Sequence, residues 1–471
     1  MKNPKLLFAF LLLTSCVVGP DYKQPETKLS NSWFSKFSKS DINSSNEINQ
    51  LWWRNFNDPV LDELVEMAIK NNLDLKISNS KIIEARANID EETAKLLPKV
   101  NATGTASRSS KFVNPVSPDV HRPFNVINAG LDASWELDFF GGVIRAREAA
   151  KAVFESNVEA KNAVLISVEG EVARNYMQLR NIQNQIELNK KSIIALTEIV
   201  ELEESRKDVG LISDIDLEKT KIELSNLEAE LPDLETAING AALRIEILLA
   251  KQPGELRDLL KPTYPEFPEL NKKLIISAPI DLLRNRPDIK QAERDLAAAT
   301  ALEGLAISAM YPKLSLTGFF GFQSNKSGNL LRSTNRVFAV GSSISMPVLD
   351  FGSVKANIKV FNARKEQAFF NYQSTVLKAL EDVENSLTAY INKSNKIKSI
   401  SKSAALSQKV LELNKDKKNS GLISKIDLLR AKIDFYQNHI ILIQNQTDLN
   451  NSIITLYKAL GGGWSTQNND K

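Results

Sequence analysis

Apolar and polar residues alternate in two stretches of the chain, residues 99–140 and 313–351. A period of two is typical of β-strands with one apolar and one polar face, so each stretch predicts a β-hairpin. A loop with three prolines separates the strands of the first hairpin, and we expect that loop to be exposed. The apolar positions are Val100, Ala102, Gly104, Ala106, Ile127, Ala129, Leu131, Ala133, Trp135, Leu137, Leu314, Leu316, Gly318, Phe320, Phe322, Phe338, Val340, Ile344, Met346 and Val348.

Long segments after each hairpin carry a different period, with apolar residues spaced alternately by three and four. Such sustained heptads predict coiled-coil helices, and a helix of about 68 residues is on the order of 100 Å long. Pro232 lies inside the second long helix and predicts a kink there. Polar amides beside the apolar positions of the first long helix indicate a wetted surface; they are Gln178, Gln183, Asn184 and Gln185.

The chain before the first hairpin predicts shorter elements. Its helical pattern divides into two pieces near Asn72 and ends at Pro98. Residues 17–59 are rich in proline, serine and asparagine, which favours an extended segment. We expect Trp52 and Trp53 to anchor that segment on an apolar surface.

The segment GLIS-x-IDL occurs twice, as residues 210–217 and 421–428, each time between two long helices. Its glycine favours the left-handed conformation that ends a helix. Its serine is a good N-cap, and the aspartate three residues later completes a capping box. Each copy therefore predicts a tight helical hairpin, and we call the two hairpins tip 1 and tip 2.

The order helix, hairpin, long helix, tip and long helix occurs twice, which predicts an internal duplication. The tips repeat at an offset of 211 residues (421 minus 210), and the prolines before the hairpins repeat at an offset of 214 (312 minus 98). The predicted parts are a signal peptide (1–15), an N-terminal lipid-anchored wrapping segment (16–59), helices of repeat 1 (60–98), β-hairpin 1 (99–140), long helical hairpin 1 (141–250), a connecting segment (251–286), the helix of repeat 2 (287–312), β-hairpin 2 (313–351), long helical hairpin 2 (352–460) and a tail (461–471).

Composition argues against several classes of function. A net charge of +3 over 471 residues leaves no nucleic-acid footprint. One cysteine cannot form a disulfide within the chain, and two histidines argue against a Cys/His metal site. His121 and His439 are far apart in sequence and neither has the context of a nucleophile. We therefore expect no catalytic residue, no metal and no cofactor.

The single cysteine, Cys16, ends a stretch with the features of a secretory signal: two lysines, an apolar run and small residues. The run is shorter than the about 20 apolar residues that a spanning helix needs. Leu-Thr-Ser-Cys resembles a bacterial lipoprotein box, which implies cleavage before Cys16 and a covalent lipid, including palmitate, on Cys16. Val17 after it resembles the sorting signal of outer-membrane lipoproteins. The alternative is an ordinary signal peptide in which Cys16 is incidental.

Four strands of roughly ten residues have the length of membrane-spanning β-strands. They cannot close a barrel alone, because the smallest single-chain membrane barrels need about eight strands. An open edge in lipid leaves costly unpaired backbone groups. If the strands lie in a membrane, the barrel is therefore shared between chains, and three chains give twelve strands. The alternative is a soluble sheet with its polar face outward.

Motifs along the whole mature chain resemble those of the TolC-like outer-membrane efflux proteins, specifically the lipoprotein branch known as NodT or OprM-like. Each motif is short, and their shared order and spacing make the resemblance specific. They are the lipid box at Cys16, Pro20-Asp21-Tyr22, Trp52-Trp53, Asn72-Leu73-Asp74-Leu75, Ala85-Arg86-Ala87, Leu97-Pro98, Ser134-Trp135-Glu136-Leu137-Asp138, Arg286-Pro287-Asp288-Ile289, Tyr311-Pro312 and Leu460-Gly461-Gly462-Gly463-Trp464.

The resemblance implies a mainly α fold with a transmembrane β part. Three identical chains would form a twelve-stranded barrel, with four strands from each, in the outer membrane of a Gram-negative bacterium. A coiled-coil α-helical tunnel continues it across the periplasm. This homotrimer is implied to be the exit duct for drugs or other toxic compounds in a tripartite efflux system, fed by an inner-membrane pump of the resistance–nodulation–division class and a periplasmic adaptor.

In this family the helical tips are where the adaptor docks and where the tunnel narrows. The docking residues implied by the match are Gly210, Leu211, Ser213, Gly421, Leu422 and Ser424. The residues implied for the gate are Asp214, Asp216, Lys425, Ile426, Asp427 and Arg430.

One stretch departs from the family's pattern. Members commonly follow the second tip with Leu-Asp-Ala-x-Arg, in which the Asp and Arg help to hold the closed end. Here Arg430 stands in place of that Asp, and Ile433 stands in place of that Arg. We therefore expect other charge pairs in the closed state, in which Arg430 or Lys425 pairs with Asp214, Asp216 or Asp427.

Two other functions fit parts of the pattern. One is the exit duct of an ATP-driven type I protein secretion system, against which the lipid box and Asp21-Tyr22 argue. The other is a structural coiled-coil lipoprotein without a pore, which the heptads alone do not distinguish. Conductance of the purified protein separates a channel from a scaffold.

Overall fold

The protein is described from a computed structural model, which covers residues 17–26, 33–34, 42–44, 51–109, 124–262, 274–276 and 279–462. The predicted signal peptide, Cys16, His121 and the end of the C-terminal motif, Gly463-Trp464, lie outside the described residues. The elements in chain order are β1 (Ile42–Ser44), α1 (Pro59–Asn71), α2 (Leu73–Ala94), β2 (Lys99–Ser109), β3 (Phe124–Leu137), α3 (Gly142–Asp208), α4 (Asp214–Leu248), β4 (Leu274–Ile276), α5 (Leu282–Asn285), α6 (Pro287–Ser308), β5 (Lys313–Ser324), β6 (Arg336–Ser345), α7 (Ser353–Asn419) and α8 (Lys425–Leu460).

The chain divides into two compact units. Unit 1 comprises Met1–Glu26, Lys81–Val158 and Gln291–Gln373, and it holds the four longer strands. Unit 2 comprises Thr27–Ser80, Glu159–Lys290 and Ser374–Lys471, and it holds both tips.

The longer strands of unit 1 form one antiparallel sheet in the order β2-β3-β5-β6. Their register aligns the apolar positions across the sheet, since Leu131 lies opposite Phe320 and Phe320 lies opposite Phe338. Both predicted hairpins are confirmed, and β3 joins them. The return strand of the second hairpin is shorter than predicted, because β6 ends at Ser345 and leaves Met346 and Val348 beyond it.

A pair of glycines interrupts the polar face of this sheet. Gly130 and Gly321 lie directly opposite each other on β3 and β5. A Cβ at either position would come within 2.9 Å of the ring of Phe319. The backbone of the facing strand comes closer still, at 2.6 Å from a Cβ on Gly130 and 2.4 Å from a Cβ on Gly321, so the facing strands and the Phe319 ring together leave no room for a side chain at either position.

The four long helices follow the heptad prediction. α3 and α7 have 67 residues each, and α4 and α8 have 35 and 36. A helix of 67 residues is about 100 Å long at about 1.5 Å per residue. Pro232 lies inside α4 without ending it. Among the described helices, none carries an apolar stretch sufficient to cross a membrane.

Burial along α3 matches its predicted apolar positions, with one correction. Val172, Leu179 and Leu196 are buried, as the heptads require. Gln183 was expected on a wetted surface, and that expectation is wrong. It is buried, and its amide donates to the carbonyl of Leu260 at 2.7 Å. The polar side chain is tolerated in the interior because its hydrogen bonds are made there.

The aromatic residues before α1 anchor their segment, as predicted. Trp52 and Trp53 are buried in a 3₁₀ helix, and the Trp52 ring stacks on Tyr457 with centroids 5.5 Å apart. Asp58 caps α1 by accepting from the backbone N–H of Val60 and also accepts from the hydroxyl of Tyr176 at 2.6 Å. One carboxylate therefore joins the start of α1 to α3.

The short strands β1 and β4 form a parallel pair that the sequence did not predict. Their partners are far apart in the chain, with Ile42 opposite Leu274. Three residues on each side are too few to show a period of two, so no local signal identified them.

Unit 2 contains a buried carboxyl group, that of Glu169. Glu169 of α3 is only 1% exposed, and neither of its carboxyl oxygens has a hydrogen bond of good geometry among the described residues, although the indole N–H of Trp52 lies near the carboxyl group. Burial raises the pKa of this carboxyl well above its usual range. The folded chain therefore holds Glu169 protonated at a pH where the unfolded chain ionises it.

This burial predicts a pH-dependent contribution to stability. Between the unfolded and the raised folded pKa, rising pH lowers the free energy of unfolding by about 1.4 kcal/mol per pH unit through this one group. We expect Glu169→Gln to remove that dependence and to raise the unfolding temperature at pH 8 more than at pH 5. Thermal unfolding of the purified protein in detergent at both pH values measures it. Glu201→Gln, on an exposed position of the same helix, is the control; equal slopes for the two variants would contradict the assignment.

Candidate functional site

Both tips are built by the same hydrogen bonds. In tip 1, Gly210 has φ of +73°, and the N–H of Leu211 donates to the carbonyl of Arg206 at 2.8 Å. In tip 2, Gly421 has φ of +74°, and the N–H of Leu422 donates to the carbonyl of Lys417 at 2.9 Å. Positive φ at this position ends a helix with a glycine cap, which confirms the predicted turn.

The next helix of each tip starts at the predicted serine. The Ser424 hydroxyl accepts from the N–H of Asp427 at 3.1 Å, and the Asp427 carboxylate accepts from the N–H of Ser424 at 2.9 Å, so the capping box is complete. In tip 1 only half of the predicted capping box forms: Ser213 accepts from the N–H of Asp216 at 3.3 Å, and the Asp216 carboxylate accepts from the Ser213 hydroxyl and not from its N–H. The hydrogen bonds from the hydroxyl and backbone of Ser424 hold the pKa of Asp427 below its usual range.

These caps place the residue after each glycine at the surface. Leu211 is 72% exposed and Leu422 is 73% exposed, although both are large and apolar. Two equivalent exposed leucines at equivalent turns are typical of a contact surface that is uncovered in the single chain.

The basic residues of tip 2 are paired, though with partners other than those expected. Arg430 donates to the hydroxyl of Thr220 at 3.1 Å and forms ion pairs with Glu223 at 3.3 Å and Glu203 at 3.7 Å. Lys425 forms an ion pair with Glu198. Arg430 thus connects α8 with both α3 and α4.

Within one chain, neither Arg430 nor Lys425 pairs with a tip aspartate, and such pairs between copies in the closed state stay a prediction. Asp214 pairs with Lys207 at 2.8 Å, and Asp427 is engaged by Ser424. Asp216 accepts from the hydroxyl of Ser213 at 2.8 Å. Two of the three aspartates, Asp216 and Asp427, are therefore engaged by the serines that cap their helices.

Sequence reasoning missed the glutamates Glu198, Glu203 and Glu223. The sequence does carry a signal for Glu203, namely its number of residues from the tip. Glu203 lies 7 residues before Gly210, and Arg430 lies 9 residues after Gly421. In antiparallel helices that turn at the same end, residues at similar distances from the turn lie level with each other.

Beside the ion pairs of Arg430 and Lys425, α3 and α8 share an apolar cluster near the tips. Its buried members include Leu196, Ile199, Leu429 and Ile433, and Leu224 and Leu227 of α4 pack against it. Ile426, which the resemblance implied for the gate, is also buried there. Ile433, which stands where the family pattern has Arg, has become part of this core.

Glu203 makes the Arg430 contact more than a surface ion pair. Its side chain is largely buried, and its Oε2 has no hydrogen-bond partner in the described part of the chain. Exposed ion pairs contribute about 0–1 kcal/mol. Removal of the partner of a buried carboxylate costs more, because the remaining charge stays desolvated.

The described residues outside the tips offer little other chemistry. Among the described residues, no cluster of three His, Cys, Asp or Glu side chains has the arrangement of a metal site. His439 is half-buried, which lowers its pKa, and its ring packs on Phe435. The tips are the site whose geometry repeats.

Comparisons with known proteins agree with this architecture. The model of the family "Outer membrane efflux protein" matches residues 64–251 and 278–462, one stretch for each repeat. Nodulation protein T of Rhizobium leguminosarum bv. trifolii is 27% identical over 459 residues, which are 97% of each chain. The solvent efflux pump outer membrane protein SrpC of Pseudomonas putida is 28% identical over 469 residues, which are 98% of each chain.

Solved structures of channels have the same fold. The outer-membrane channel OprN is similar with a TM-score of 0.84 and 30% identity, over 95% of this chain and all of that chain. The outer membrane channel CmeC of Campylobacter jejuni has a TM-score of 0.86 and 25% identity, over 96% of each chain.

The fold class follows from these matches. The chain is mainly helical and contributes four antiparallel strands to a trimeric, twelve-stranded outer-membrane barrel, which continues as a helical tunnel in the periplasm. The chain belongs to the outer membrane efflux protein family, and it is the outer-membrane exit duct of a tripartite efflux system.

Proposed function

We propose that the two tips form the docking rim for a periplasmic adaptor and the gate of the duct. The observation that carries the docking role is the pair of equivalent turns that hold Leu211 and Leu422 exposed. Three copies of the chain bring six such turns to one aperture. An adaptor with apolar side chains at matching spacing buries these leucines, and burial of one leucine contributes about 1.5–3 kcal/mol.

The gate role rests on Arg430. This residue joins α8 to α3 and α4 at the level of the tips, and widening of the aperture requires that the helices separate there. Arg430 and its three partners therefore act as a latch, in place of the Asp and Arg of the family's usual pattern. The latch holds the helices together until the adaptor and pump engage.

The partners and cargo follow the same proposal. The inner-membrane pump is of the resistance–nodulation–division class, and the substrates are small toxic molecules. Relatives named for solvent, toluene and antibiotic efflux support this substrate class.

The lipid anchor at Cys16 is also part of the proposal. Support comes from the segment that follows it, which the structure holds firmly. Arg145 is buried and donates to the carbonyls of Val18 and Gly19 at 3.0 and 3.2 Å, and to the carboxylate of Asp21 at 2.8 Å. Because these contacts fix the chain from Val18 onward, a lipid on Cys16 would lie close to unit 1.

The docking role predicts the effect of a charge at the tips. Leu211→Asp with Leu422→Asp should abolish capture of the cognate adaptor and raise drug sensitivity, because carboxylates cannot be buried in an apolar contact. Co-purification from membranes and drug-susceptibility profiling measure the two effects. Leu331→Asp, at an equally exposed leucine between β5 and β6, is the control. Retained adaptor capture by the tip variant would refute the docking role.

The latch predicts a change in channel behaviour. Arg430→Ala should raise the closed-state conductance of the purified trimer in a planar bilayer several-fold, because the glutamates then no longer tie α8 to α3 and α4. Lys432→Ala removes a charge from the same helix, and Lys432 forms no ion pair within the described residues. This variant should conduct as the wild type does. Conductance of Arg430→Ala at the closed baseline would eliminate the latch, and a wild-type trimer that never conducts would eliminate the channel.

Lipidation predicts a defined mass. The mature wild-type protein should begin at Cys16 and carry acyl chains, and Cys16→Ser should lose them together with incorporation of labelled palmitate. Intact-mass spectrometry of the outer-membrane fraction measures both proteins. An unacylated wild-type chain would show that Cys16 is incidental to an ordinary signal peptide.

A further inference from the structure

A partly open cavity of about 390 Å³ lies in unit 2, between α3, α7, α8 and the start of α6. Its volume falls within the range of small-molecule sites, which is roughly 300–1,000 Å³. None of the described residues that line it belongs to either tip. The cavity is therefore separate from the surfaces proposed for docking and gating.

One side of α3 forms a wall of this cavity. Ser167, Gly170 and Arg174 are spaced by three and four residues, which places them on the same side of the helix. The stem of Lys458 from α8 lies beside Gly170, with its Cδ 3.9 Å from the point that a Cβ there would occupy. The Lys458 ammonium group donates to the hydroxyl of Ser167 at 2.9 Å. This wall thus holds two cations, Arg174 and Lys458, which both line the cavity.

The carboxylates around the two cations are engaged by other arginines. Arg286 is buried and pairs with Asp288 at 2.6 Å and with Asp382 at 3.1 Å. Glu171 pairs with Arg244 at 2.8 Å. The nearby negative charge is therefore already used in ion pairs.

Arg174 and Lys458 have no ion pair of their own within the part of the chain that the structure describes. Burial, and after it the charge of Arg174, lower the pKa of Lys458 below its usual range, although Glu171 and Asp382 act in the opposite direction. Like charges that share a partly desolvated wall repel each other. A bound anion would remove this repulsion.

The rest of the lining indicates what kind of anion fits. Ile166, Pro287 and Ala459 supply apolar surface. The cavity is many times larger than the roughly 30 Å³ that a water molecule occupies, so an inorganic ion alone would leave most of it to water. The side-chain amide of Asn385 also lines the cavity and makes no hydrogen bond to the described residues. The lining therefore fits an anion that carries an apolar body.

We propose that this cavity binds a small organic carboxylate, whose oxygens bridge Arg174 and Lys458 and whose apolar body lies against Ile166. The planar guanidinium group of arginine suits the geometry of a carboxylate, and the ammonium group of lysine adds a second charge-assisted hydrogen bond. The bound molecule ties α3 to α8 away from the tips. Every lining group comes from one chain, so the inference does not depend on docking or gating.

Calorimetric titration of the purified trimer in detergent with benzoate and with hexanoate tests the site. We expect saturable binding of one acid per chain, together with a higher unfolding temperature, because the acid binds only the folded protein. Benzamide and hexanamide have similar shapes without the charge and should bind at least tenfold more weakly. Binding of benzoate alone would specify an aromatic acid, and binding of hexanoate alone an aliphatic one.

Three results of these titrations would overturn the proposal. They are no binding of either acid, equal binding of an acid and its amide, and binding of inorganic phosphate as tight as that of the acids. The first result would also arise if a neighbouring copy fills the cavity in the trimer, and a filled cavity is not a ligand site.

Substitutions test the two cations. Arg174→Ala should weaken binding of the acid at least tenfold, and Arg174 is exposed, so the fold should persist. Arg174→Glu should abolish binding, because its carboxylate then pairs with Lys458 in place of the ligand. Lys458→Met keeps the apolar stem and should weaken binding as Arg174→Ala does. Arg206→Ala, at an exposed position of the same helix, is the matched control and should bind as the wild type does. Unchanged affinity in Arg174→Ala would overturn the assignment.

The outcomes separate this inference from the proposed function. A trimer that conducts and captures its adaptor but binds neither acid refutes the inference and leaves the duct intact. A trimer that binds an acid but never conducts refutes the proposed function and leaves the site intact.

Discussion

The outermost strands of the sheet, β2 and β6, each have one row of backbone N–H and C=O groups that no other described strand pairs. In lipid, where water cannot bind them, unpaired groups cost several kcal/mol each. A sheet of four strands therefore cannot stay in a membrane as a single chain. Closure of twelve strands joins β6 of one copy to β2 of the next, and the apolar residues aligned by the register then form one continuous band.

The same requirement extends to the helices. The chain was duplicated, and each repeat supplies one strand hairpin and one helical hairpin. Matching turns at Gly210 and Gly421 keep the two hairpins equivalent at the tips that are proposed to dock an adaptor. The helices outside the turns have diverged in sequence.

Much of this was accessible from the sequence because it depends on local periods and short motifs. The period of two identified all four long strands, and the heptads identified the long helices. The glycine and serine of each tip defined the turns to the residue, since capping acts within one helical turn. These predictions needed no knowledge of which elements meet.

The errors concern pairs that are distant in sequence. The parallel strands β1 and β4 are too short to show a period, and their register depends on the packing around them. Gln183 looked like a surface residue because a glutamine has no signal for burial, and its partner is a backbone carbonyl in a turn. Within one chain, Arg430 pairs with glutamates and not with the tip aspartates, because caps engage two of those aspartates and Lys207 engages the third. Groups close in sequence therefore engage the tip aspartates, and Arg430 pairs with other acids.

The departure from the family's pattern after tip 2 is explained by the same competition. An arginine at position 433 would place its charge in the apolar cluster between α3 and α8, where Ile433 is buried. Arg430 lies three residues earlier, almost one turn of helix away, where its guanidinium reaches Glu203, Glu223 and Thr220. The positive charge that the family pattern has at position 433, which faces the core here, is thus replaced by that of Arg430, which contacts groups on two neighbouring helices. The chain retains a charged tie between helices near its tips, and Ile433 adds an apolar contact beside it that does not depend on salt.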